Sequence, residues 1–184
     1  MNELKSYPVW DAPTRWFHWI NALSVLGLVA VGLVILNRSA LGIANGFGWV
    51  SGLGLLWRVV WGFRGNRHAR GRRMLPGGPG YLRSLRSYVA SFVAGTPEPY
   101  LGHNPLGRIG IALLFILISV QAVTGLFLAG TDLFYPPLGP WFAQSVAAPG
   151  TDPSTLVPYA PDMYDKGAYA DMRALREPFA VVHG

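Results

Sequence analysis

The chain has 184 residues, about one domain by length, yet 51% of them are hydrophobic, only 13% are charged and seven are Trp. That balance sets it apart from ordinary soluble globular chains, and the lack of cysteine excludes disulfides, thiolate metal sites, thioether-linked cofactors and Cys-ligated clusters. The net charge of +6 is unevenly placed: no acidic residue lies between Asp11 and Glu98, whereas Arg58, Arg64, Arg67, Arg70, Arg72, Arg73, Arg83 and Arg86 all fall in that span.

The first element runs from Trp16 to Leu36, 21 residues without a formal charge. At about 1.5 Å per residue, a helix of that length crosses a hydrocarbon core of roughly 30 Å. Its apolar part is too long for a secretory signal and no small-residue cleavage site follows near Leu36 and Arg38, so it reads as a retained transmembrane helix. His18 stands at the mouth of this run. Taken alone it has two readings of about equal weight. One is an interfacial side chain at headgroup depth beside Trp16 and Trp19; the other is an axial ligand to haem iron, on a face continued by Asn21, Ala22, Val25, Val29 and Gly32.

A second helix is expected over about 42–63. Ser39–Trp57 is uncharged but holds Gly42, Gly46, Gly48, Gly52 and Gly54, which cost helix propensity and permit close packing in membranes. Its apolar length suffices only if Arg58 faces the bundle or an anionic group. The basic run that follows is better explained by the positive-inside rule than by nucleic-acid binding, which makes Arg64–Arg86 a cytoplasmic loop and puts the N-terminus inside. Within that loop Tyr81–Val93 places Tyr81, Leu82, Leu85, Tyr88, Val89, Phe92 and Val93 near one helical face, the pattern of a surface helix over about 80–94 with its arginines toward lipid phosphates.

Ile109–Thr131 supplies another 23 uncharged residues, predicting a spanning helix over about 105–130 that returns the chain to the outside. Gln121 and Thr124 are polar within it; helix–helix hydrogen bonding is the default reading, and lining a cofactor or quinone cleft is the alternative. The segment 131–160 is proline-rich (YPPLGP, APGTDPS, VPYAP) and reads as an ordered outer loop. The tail from Tyr164 is partly helical in pattern, with Pro178 expected to open an incomplete fourth helix at its first turn. The fold class is therefore all-α: a transmembrane bundle of three spanning helices plus the start of a fourth. Asp11, Glu98 and Asp132 are not paired for acid–base work, and no phosphate loop, HExxH or nucleophile elbow is present.

Five segments in order, VWDAPTRWFHWINAL, LLWRVVWGFRGNRHAR, YLGHNPLGRIGIALL, QAVTGLFLAGTDLFYPPLG and YDKGAYADMRALREPFAVVH, resemble the bacterial dihaem cytochrome b561 family, related to the b-type cytochrome subunits of membrane nickel–iron hydrogenases. The resemblance covers nearly the whole chain and implies four helices holding two b-type haems, each between two histidines. It identifies His18 with the helix-one ligand of the inner haem and His183 with the first helix-four ligand of the outer haem. It also gives Arg58, and more weakly Arg15, the role of neutralising a haem propionate. His68 belongs to the basic loop and His103 to a GHNP helix-entry turn.

Two features depart from the family pattern. The position expected for the helix-two histidine falls on Ala44, beside Asn45, and no second helix-four histidine occurs before Gly184. One ligand of each pair is thus retained, and the topology holds His18 near the inside and His183 near the outside. The implied function is electron transfer in the bacterial inner membrane between a redox partner and a quinone or another haem, the partners being membrane lipid, a quinone and/or a cytochrome c or other redox subunit, in an oligomer or larger complex. The competing readings are a shortened, haem-poor relative serving as a membrane anchor or assembly subunit, and a piece of a longer four-helix protein.

Overall fold

The computed structural model describes residues 10–34, 40–65 and 69–184. His68 and Arg67 lie outside the described residues. The helices are α1 (Ala12–Val34), α2 (Ala40–Arg64), α3 (Gly71–Met74), α4 (Tyr81–Val93), α5 (Pro105–Asp132), α6 (Gly139–Val146) and α7 (Lys166–His183). Short 3₁₀ turns occur at Pro153–Thr155 and Pro161–Met163, and no strand is present among the described residues beyond one bridge between Ala147 and Tyr164. Among the described residues α5 alone is both long and apolar enough to cross a membrane. The 23-residue α1 starts among Thr14, Arg15, His18 and Asn21, and the 25-residue α2 carries Asn45, Ser51 and Arg58, so both are more polar than α5.

The chain divides into two compact units: residues up to Ala30 with Val50–Ile118, and Val31–Trp49 with Ser119–Gly184. In the first, Asp11 caps α1, its Oδ1 accepting the Thr14 amide at 3.0 Å. Its Oδ2 accepts the Trp61 indole N–H at 3.1 Å, which ties the start of α1 to the last turns of α2. The two helices approach closely at Gly54, where a Cβ would stand 2.9 Å from Asn21 Oδ1 and nearer still to Nδ2. Asn21 and Ser24 are buried there, and each returns a hydrogen bond to its own helix, to Phe17 O at 3.0 Å and Ile20 O at 2.8 Å. Asn21 therefore belongs to the packed stripe of α1. It does not continue the His18 face as the sequence pattern suggested, because the missing side chain at Gly54 draws the Asn21 amide into the helix contact.

The same unit holds α4 against the start of α5. Tyr81 donates its hydroxyl to Pro105 O at 2.8 Å, and Asn104 donates to the Tyr88 hydroxyl at 2.9 Å. Asn104 also caps α5 by accepting the Gly107 amide at 2.6 Å. The flank of α4 next to this contact exposes Leu82, Val89 and Val93, and Phe92, exposed as well, stacks on Tyr88 at 6.4 Å between centroids.

In the second unit Phe142, Val146, Tyr164 and Met172 form a buried cluster, with Phe127, Leu138 and Tyr169 packed against it. Tyr164 and Tyr169 stack at 4.7 Å between ring centroids, and Phe127 stacks on Phe179 at 3.9 Å. The helix expected to open at Pro178 instead begins at Lys166 and runs through the proline to His183. Packing overrides the proline's helix-breaking tendency here. Asp165 caps α7 through the Ala168 amide at 2.8 Å, Met172 is buried, Arg176 is salt-bridged to Asp132, and Phe179 is stacked, so the helix is anchored on both sides of Pro178.

Candidate functional site

His18 lies one turn into α1 and is exposed, its ring edge-on to Trp19 with centroids 5.7 Å apart. Period 3.6 separates two stripes on this helix. Phe17, Asn21, Ser24 and Val31 turn inward, while His18, Val25 and Val29 are left open. The imidazole thus sits on an apolar helix face that no other described element of the chain covers. Arg15, one turn earlier, is also exposed.

Arg58 is placed quite differently. It is 3% exposed, with its guanidinium 5.8 Å from the Phe17 ring centroid, next in sequence to His18. Its Nη2 donates to Ala69 O at 3.0 Å and meets Met74 Sδ, whereas buried Nη1 has no hydrogen-bond partner among the described residues. A buried guanidinium with an unmatched donor is costly unless an acceptor completes it. The carboxylate of Asp11 lies close enough to act on it electrostatically. For Asp11 partial burial disfavours ionisation, but the Thr14 and Trp61 hydrogen bonds and the Arg58 charge outweigh it and hold the carboxyl below its ordinary value.

His103 packs edge-on against Trp10, with centroids 4.5 Å apart, in the turn that leads to the Asn104 cap. Burial lowers its pKa, and the Arg58 and Arg108 charges push it further the same way, so this imidazole is held neutral.

His183 occupies the second unit, at the end of α7 against α5. Its Nδ1 is 2.8 Å from Thr124 Oγ1. The Thr124 hydroxyl also lies 2.8 Å from the Val120 carbonyl, and when it donates there its oxygen accepts the Nδ1–H of His183. In that tautomer Nε2 carries the lone pair. Gly125 makes room for the ring, since a Cβ there would stand 3.0 Å from His183 Cε1. Gln121 closes the contact by donating to His183 O at 3.3 Å.

The structure therefore gathers Arg58, Phe17 and Asp11 in one unit, and His183 with Gln121, Thr124 and Gly125 in the other. Helix–helix hydrogen bonding, the default sequence reading for Gln121 and Thr124, is what both residues do, but the partner is the candidate ligand itself. The signal was the polar pair and glycine of QAVTG at helical spacing; nothing local in the sequence joined it to a residue about sixty positions later. No three His, Asp or Glu side chains converge into a metal-binding group among the described residues.

The sequence profile of the family described as "Prokaryotic cytochrome b561" matches residues 9–184. Similar curated proteins include a "Probable Ni/Fe-hydrogenase B-type cytochrome subunit" of Azotobacter vinelandii, 32% identical over 146 residues, with 68% of this chain and 60% of the relative covered. One of the same name from Rhizobium leguminosarum bv. viciae is 32% identical over 164 residues, covering 76% and 68%. A "Probable Ni/Fe-hydrogenase 1 B-type cytochrome subunit" of Escherichia coli (strain K12) is 28% identical over 156 residues, covering 74% and 66%. The chain spans about 60% of the length of the first of these relatives. No solved structure matches it.

Proposed function

The chain belongs to the prokaryotic cytochrome b561 family, and from that premise we propose that it is the membrane-embedded, haem-b-binding part of an electron-transfer subunit. It passes single electrons between a redox partner, such as a hydrogenase, and a quinone or a second haem. The relatives' names as b-type cytochrome subunits support the electron-transfer role. The observation that carries the reading is the Thr124–His183 pair. An axial imidazole must present an unprotonated nitrogen, and Thr124 Oγ1 at 2.8 Å from Nδ1 supports the tautomer that keeps Nε2 in that form.

The other donors suit the same group. His18 offers an imidazole on an uncovered apolar face, and the unmatched Arg58 Nη1 suits a propionate oxygen, with Arg15 as the weaker candidate. When bound, haem iron supplies a one-electron couple; the chain sets its potential through axial imidazole, apolar surroundings and cationic arginines. Within residues 1–184 each haem finds one of these two imidazoles, and its second axial ligand comes from elsewhere in the assembled protein. In this reading α1, α2 and α5 span the inner membrane, with the N-terminus and the arginine-rich loop in the cytoplasm.

Reduced-minus-oxidised absorption spectra of the purified protein test the assignment. His18→Ala and His183→Ala should each remove b-type signal, and His68→Ala should leave it unchanged. Full signal in both of the first two variants would refute these ligands.

A further inference from the structure

Three side-chain contacts join α7 to the last turns of α5, all within the second unit. Arg176 Nη2 donates to Asp132 Oδ2, Phe179 stacks on Phe127 with ring centroids 3.9 Å apart, and His183 Nδ1 lies 2.8 Å from Thr124 Oγ1. With each contact α7 advances by about one turn and its partner on α5 recedes by about one turn, so the three share one antiparallel register. A slip of one turn would carry His183 about 5.4 Å along the seam. The imidazole would then leave Thr124 and the space that Gly125 opens for it.

The three contacts differ in what they specify. Stacked phenylalanines tolerate small shifts, whereas a charge-assisted hydrogen bond is directional. Direction matters most near Pro178, which has no amide hydrogen to give the Ala174 carbonyl. The helical ladder is interrupted there, two residues after Arg176 and five before His183. Asp132 is also placed against the preference of its own helix. It is the last residue of α5, where the partial negative charge of a helix end disfavours a carboxylate. Its partner on α7 accounts for it instead. The side chains of Arg176 and Asp132 are only 23% and 28% exposed, so solvent and salt screen the pair in part.

We propose that the Asp132–Arg176 ion pair is the register pin of the α5–α7 seam, which holds His183 on Thr124 and so presents its imidazole to haem. The proposal rests on His183 as an axial ligand. Asp132 and Arg176 are positioning residues that act through it.

The 184 residues hold no cysteine, so nitroxide labels at Val123→Cys and Val182→Cys, both exposed, report the seam directly. Arg176→Gln and Asp132→Asn should each broaden the distance distribution between the labels. The exchanged pair, Asp132→Arg with Arg176→Asp, should narrow it again. Haem titration with redox potentiometry gives the second reading. Each single variant should bind the His183-dependent haem about tenfold more weakly and shift its midpoint potential, and the exchange should restore both. The His18-dependent signal should stay unchanged, which sets the effect apart from general unfolding. Glu177→Gln, exposed on α7, should match wild type in both readings. Narrow distances and unchanged affinity in both single variants would overturn the pin, as would an exchanged pair no better than its parents. Loss of signal in His183→Ala with no change in Arg176→Gln leaves the ligand standing and overturns the pin alone. Full signal in His183→Ala overturns the ligand and the positioning of haem with it, while the label distances still decide the register.

Discussion

The Trp61 indole donates to Asp11 Oδ2 at 3.1 Å, so one carboxylate both caps α1 and holds the end of α2. The partner makes Asp11 more than a local helix signal. Asp11→Ala should remove the cap, at about 0.5–2 kcal/mol, and strand the indole N–H as well. Because the folded-state pKa of Asp11 is lowered, its contribution is complete above the unfolded value near 3.9 and is lost as pH falls through the lower folded value. Thermal unfolding in detergent from pH 7 down to pH 2.5 should show the gap between wild type and Asp11→Ala narrowing at the acid end. A constant gap would show that the charge is not part of the contribution.

Gly54 and Asn21 make a second coupled pair. A Cβ at Gly54 would push into the Asn21 amide and break its bond to Phe17 O. Gly54→Ala should therefore destabilise the unit by about 1 kcal/mol and Gly54→Leu by more, despite the better helix propensity of both. Asn21→Ala in the same chain should restore most of the Gly54→Ala loss, because it clears the space. Additive losses in the double variant would show that the two residues are not in contact.

How much of this was legible in the sequence follows from the range of each interaction. Uncharged runs of 21 and 23 residues and the amphipathic repeat of Tyr81–Val93 are local, and the described residues of all three are helical. The family was also legible, because its motifs are contiguous stretches such as WDAPTRWFHW. Asn21 reads as part of the His18 face because the contact that buries it, at Gly54, lies more than thirty residues away. Pro178 reads as a helix start because propensity is a local rule. The anchors that override it, Asp132 and Phe127, lie on α5.

The asymmetry of charge carries a prediction about topology. Arginines crowd the span from Arg64 to Arg86, while Leu133–Pro161 has no basic residue, so the two segments are expected on opposite sides of the membrane. In otherwise unaltered chains, Ser84→Cys should react with an impermeant thiol reagent from the cytoplasmic side of sealed vesicles, and Ser154→Cys from the other. Both residues are exposed, so access is limited by the bilayer alone. Labelling of both from one side would overturn the orientation.

Thr124 should act on haem binding without touching the iron. With its proton given to the Val120 carbonyl, its oxygen accepts the Nδ1–H of His183, and in that arrangement a single hydroxyl selects the imidazole nitrogen that keeps its lone pair. Thr124→Val keeps the shape and removes the acceptor. The imidazole then exchanges tautomers and rotates more freely, and partners of this kind change metal affinity by about 10–100-fold. Thr124→Ser retains the hydroxyl and should stay near wild type, which separates hydrogen bonding from packing. Haem titration of each variant, with the midpoint potential of the His183-dependent signal as a second reading, measures the effect. Thr124→Val should weaken binding and lower the potential's uniformity, whereas a helix-packing role alone would leave Thr124→Val and Thr124→Ser alike. If His183→Ala removes the signal and Thr124→Val does not alter it, the ligand stands and the positioning role of Thr124 is wrong.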